Sequence, residues 1–86
     1  DFPQAEDLIF DVRKRWERMG NQYDWVGTFF AEAYLELKRG NRALGLKKLR
    51  ETIDLAYKTL ADTPAREALI ASLRDHIERY SEVVIH

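Results

Sequence analysis

From Asp24 to Ala61 the chain reads DWVGTFFAEAYLELKRGNRALGLKKLRETIDLAYKTLA, a run that holds most of its bulky apolar residues. Within it Val26, Phe29, Phe30, Ala33, Tyr34 and Leu37 recur at helical spacing. With Trp25 they cover more than one narrow stripe, so this helix has to be contacted on two sides. Leu46 or Gly45, then Leu49, Ile53, Ala56 and Leu60, form the inward stripe of a second helix. The connection Arg39-Gly40-Asn41 is short enough to fold the two helices antiparallel, with Gly40 supplying a left-handed residue and Asn41 a cap. Gly27, Ala31 and Ala33 are small enough to let neighbouring helices approach closely.

Before this pair, Ala5, Leu8, Ile9, Val12, Trp16 and Met19 mark the core face of a helix that opens at Pro3 and stops before Gly20. Phe10 falls off that stripe. After the pair, Asp62-Thr63-Pro64 is a boundary: Thr63 caps, Pro64 takes the first helical position, and Pro disfavours helical geometry in the residue before it. Ala65, Leu69, Ile70, Leu73, Ile77, Tyr80 and Val84 then form a last stripe. Asp24 is the expected cap of the second helix. The predicted fold is all-α: a four-helix antiparallel up-and-down bundle over residues 3–19, 25–39, 42–61 and 64–83, with the middle two helices central. Val83, Val84 and Ile85 could instead be extended.

A chain of 86 residues closes one hydrophobic core, so residues 1–86 are read as a single domain. It starts without Met and ends on SEVVIH, the pattern of a piece of a longer protein or of a processed one. The absence of cysteine removes disulfides, thiolate nucleophiles and thiolate metal sites, and suits a reducing, cytoplasmic setting. A net charge of -1 supplies no global field for nucleic acid or an anionic surface, and no apolar run reaches membrane-spanning length.

The central hairpin resembles a tetratricopeptide repeat, with Phe29, Ala33, Leu35, Gly40, Gly45 and Leu49 in that pattern's order of large, small and glycine positions. Glu36 stands where the pattern carries a bulky residue, Thr52 where it carries Ala, and no second copy follows. The resemblance implies two antiparallel helices with small residues at their crossing. His76-Ile77-Glu78-Arg79 is similar to the phosphorylated helix of histidine phosphotransfer domains, where a basic residue follows the histidine by three positions, although Tyr80 replaces the usual small residue. The more conservative reading makes His76 a boundary residue of the last stripe. Arg79 and His86 resemble the Arg-x-His spacing of helical RNA-cleaving bundles, with His86 at the very end.

No phosphate-binding glycine loop, nucleophile elbow, HExxH or inward-facing Glu-x-x-His pair is present, so no catalytic residue, metal ligand or cofactor is expected. Two surface features remain. Phe10, Tyr23, Trp25, Tyr34 and Tyr57 exceed what four stripes need, and they are the candidate partner-binding residues, for another protein or a second copy in a homodimer. Lys38, Arg39, Arg42, Lys47, Lys48 and Arg50 cluster around the start of the third helix as candidate anion-binding residues. The acidic start of the first helix should lie at the same end and neutralise them, which argues against nucleic acid. The expected function is therefore a non-enzymatic protein-protein interaction or oligomerisation module, with a nucleic-acid-associated or phosphotransfer domain as the alternatives.

Overall fold

In the computed structural model, which describes residues 2–82, two Gly-Asn pairs set the first two turns. Gly20 and Gly40 both adopt positive φ, +73° and +94°. At each, the amide of the following Asn reaches back to a carbonyl five residues earlier, Asn21 to Trp16 at 3.1 Å and Asn41 to Glu36 at 2.9 Å. This closes each helix with a left-handed residue and satisfies its last carbonyls. The four resulting helices are α1 (Phe2–Met19), α2 (Gln22–Lys38), α3 (Arg42–Thr59) and α4 (Pro64–Glu82), with no strand among the described residues. The extended alternative at Val83 to Ile85 lies outside them.

Helix α2 starts earlier than the cap chemistry of Asp24 suggests. Asn21 is the N-cap, accepting the amide of Asp24 at 3.1 Å, and its own amide donates to the Asp24 carboxylate at 2.7 Å. Asn21 leaves the Gly20 turn directly, so the helix can start nearly one turn before the expected position. Asn41 does precede α3, but its side chain makes no capping bond and donates instead to Glu36 Oε2 at 2.9 Å. Helix α3 ends at Thr59, before the predicted 61, because Leu60 turns extended. The α4 start is as expected, with Thr63 Oγ1 accepting the Arg66 amide at 3.2 Å ahead of Pro64.

The molecule is an all-α four-helix bundle whose packed pairs follow chain order: α1 on α2, α2 on α3, α3 on α4. Val26, Ala33, Leu37, Leu49, Ala56, Ile70 and Leu73 form the buried apolar core, drawn from α2, α3 and α4. Leu49 and Leu73 sit with Ala33 and Leu37 in one cluster, and Val26, Ala56 and Ile70 form the adjoining one. At the α2–α3 crossing, a Cβ on Gly45 would lie 2.6 Å from the Leu37 side chain and 3.2 Å from its backbone nitrogen. Gly45 and Ala33 therefore provide the close approach, whereas Gly27 faces open space and Ala31 is exposed.

Helix α1 contributes no fully buried residue among those described. Ala5, Ile9, Val12 and Trp16 are half-buried against α2, but Leu8 and Met19, expected in the core, remain 65% and 66% exposed. The stripe from Leu8 to Ile9 spans roughly 100° of the helix surface, wider than one neighbour covers. No comparable interface joins α1 to α4 among the described residues, and the shape is accordingly flat, 43 × 31 × 14 Å. Ala65 is likewise exposed at the start of α4.

Candidate interaction surface

Helix α1 is held to the rest by charge as much as by apolar contact. The Arg13 guanidinium stacks 3.7 Å over the Phe29 ring, donates through Nε to Thr28 Oγ1 at 2.9 Å, and pairs with Glu32 Oε1 at 2.8 Å. The other Glu32 oxygen receives Lys48 of α3 at 2.7 Å, so one carboxylate ties three helices together. Burial pushes the Glu32 pKa up, but the hydrogen bonds from Lys48 and Arg13 outweigh it and hold the carboxyl below its ordinary 4.5.

At the other end of the same groove, Arg39 bridges Glu6 of α1 and the buried Glu36. The acidic start of α1 reaches the basic cluster at Arg39, through Glu6. Arg39 and Lys48 are in ion pairs, and Lys38 lies 5.2 Å over the Tyr34 ring. Arg42, Lys47 and Arg50 stand outside these contacts, with Lys47 and Arg50 exposed. The groove between α1, α2 and α3 encloses about 370 Å³ and is lined by Phe10 and Leu35 among these paired charges.

The five candidate aromatics do not converge on one spot. Phe10 is exposed at the lip of that groove, with Lys14 Nζ 4.5 Å above its ring. Trp25 is half-buried, packing edge-on against Phe29 at 5.0 Å and against the Val26–Ala56–Ile70 cluster. Its buried indole N–H has no hydrogen-bond acceptor among the described residues, and the ring adjoins a cavity of about 370 Å³ shared with Trp16, Asn21 and Thr59. Tyr57 is exposed on α3 and held by Arg74 at 3.1 Å and by the Arg66 guanidinium over its ring. Tyr23 and Tyr34 are exposed and, with Gly27 and Ala31 between them, share the outward side of α2 at spacings of four, four and three.

That side of α2 adjoins the uncovered flank of α1. Phe10, Arg13 and Glu6 turn toward α3, so Leu8 and Met19 lie on the opposite side of the α1–α2 contact. Periodicity places these two residues in the core because it shows which face is apolar and not how many helices cover it. A signal is nonetheless available: Leu8, Val12, Arg15 and Met19 follow a spacing of four, three, four, the seam along which one helix packs on another.

His76 is half-buried, its Nδ1 donating to the Ser72 carbonyl at 2.8 Å and its ring meeting Phe30 and Tyr34 edge-on at 5.0 and 5.9 Å. Arg79 pairs with Asp75 at 3.0 Å. His86 lies outside the described residues. Among the described residues no three His, Asp or Glu side chains come together as a metal site, and no helix is long and apolar enough to cross a membrane. Comparison of the chain with protein-family models, curated proteins and solved structures gives no match.

Proposed function

We propose that this protein is a non-enzymatic interaction module that binds a partner protein through the apolar side formed by α1 and the outward face of α2, in a reducing, cytoplasmic setting. The observation that carries this reading is the exposure of Leu8 and Met19. Both belong to an apolar helix stripe, yet α1 packs on α2 alone and leaves them to solvent. Burying such a flank against a partner recovers roughly 25 cal/mol for each Å² of apolar surface removed from water. The exposed Tyr23 and Tyr34 extend the patch, since aromatic side chains on rigid helices make effective anchors.

A photo-crosslinking amino acid placed at position 8 or 19, in the cells that make the protein, tests this directly. Protein adducts are expected from both positions and not from position 47, on the wet face of α3. Adducts from neither position 8 nor position 19 would remove the reading.

A further inference from the structure

The uncovered flank of α1 carries a charge pattern that matches itself when reversed, and we propose that its partner is a second copy of this chain, with the two α1 helices packed antiparallel about a two-fold axis. This inference rests on the interaction reading above and narrows it to one occupant.

The seam runs Leu8, Val12, Arg15, Met19. Set antiparallel with its dyad between Val12 and Arg15, it places Leu8 of each copy against Met19 of the other, and Val12 against the aliphatic stem of Arg15. Beside the seam, on the side away from α2, Asp11 and Arg18 project from positions a heptad apart. In an antiparallel pair these positions face each other, so Asp11 of each copy meets Arg18 of the other, with Arg15 within reach of the same carboxylate. The pattern is isologous, since one operation satisfies both ion pairs at once.

Two further observations point the same way. Asp11, Arg15 and Arg18 are all exposed and, like Asp7, Lys14 and Glu17, take no ion-pair partner from their own chain among the described residues, whereas Glu6 and Arg13, on the side facing α3, are paired within the fold. The adjoining outward side of α2 presents Gly27, with nothing within 4 Å of the position its Cβ would occupy, and exposed Ala31. A second helix lying on α1 has room to rest against them. Parallel pairing would instead set Asp11 and Arg18 of the two copies on opposite edges of the seam and form neither ion pair.

Sedimentation equilibrium with charge-reversal variants tests the geometry. The native chain is expected to be dimeric at about 100 µM. Asp11→Arg and Arg18→Asp are each expected to weaken self-association roughly tenfold or more, because each places like charges across the seam. Mixed in equal amounts, the two variants should form a heterodimer. The arginine introduced at position 11 of one then faces the aspartate introduced at position 18 of the other, and the unchanged Arg18 of the first faces the unchanged Asp11 of the second. Leu8→Glu with Met19→Glu should yield a monomer whose helical circular dichroism is unchanged. A native chain that stays monomeric, or two variants that fail to pair on mixing, would overturn the proposal. Crosslinks from positions 8 and 19 to a different protein would sink the self-pairing while sustaining the interaction reading, and the mass of the adduct separates the two.

Discussion

At the level of single residues, the two helical glycines that are not in turns have opposite roles. Gly45 exists because α3 crosses α2 where Leu37 leaves no space for a methyl group. Gly27 faces open space and has no such reason within one chain. Gly45→Ala should therefore be destabilising by about 1–2 kcal/mol, overpacking outweighing the helix-propensity gain, while Gly27→Ala should stabilise by about 0.5–1 kcal/mol, both read from urea unfolding. Glu32 supplies a pH test. Its folded pKa lies below its ordinary 4.5, so its ion pairs stabilise the fold fully above that value and the contribution is lost as pH falls below it. Glu32→Gln should lower stability by about 1 kcal/mol at neutral pH, and the difference from the native protein should close as acid is added. Turn chemistry at this scale was legible in the sequence at Gly40, Thr63 and Pro64, whose backbone demands are local. The choice of Asn21 over Asp24 was not, because two good capping residues three apart compete and the preceding turn decides between them.

At the level of elements, α1 differs from its three neighbours. It has the clearest apolar stripe of the chain and yet lacks a fully buried side chain among its described residues, since its docking rests on half-buried Ile9, Val12 and Trp16 and on the Arg13 anchor. Leu73→Ala, in the core, should cost about 2–5 kcal/mol, a large share of the stability of a domain this small. Leu8→Ala should cost a monomer almost nothing. Arg13→Ala should speed amide hydrogen exchange along α1 while leaving the amides around Leu49 and Leu73 protected; uniform acceleration would mean that α1 is integral to the core. The stripes themselves were readable from spacing alone, as were four helices and the central place of α2 and α3. The missing information was which stripe goes uncovered. Periodicity is a property of one helix, and coverage is a property of its neighbours.

At the level of the whole molecule, serial packing explains both the shape and the proposed activity. Helices that each lean on the next make a slab 14 Å thick with a radius of gyration of 13.2 Å, above the roughly 12 Å of a rounded domain of this length. A slab leaves one side of its first helix bare, and the charges along that side, acidic early and basic late, complement their own reversal. The basic cluster is met only in part: Glu6 and Glu36 pair with Arg39 and Glu32 with Lys48, while Lys47 and Arg50 stay exposed.

The measurement that bears most directly on the account is an isotope-filtered NOE experiment on an equal mixture of labelled and unlabelled protein. The expected result is contacts between the Leu8 methyls of one chain and the Met19 methyl of the other. Contacts from Leu8 and Met19 confined to their own chain, on α4, would show a closed bundle with no bare flank and would contradict it.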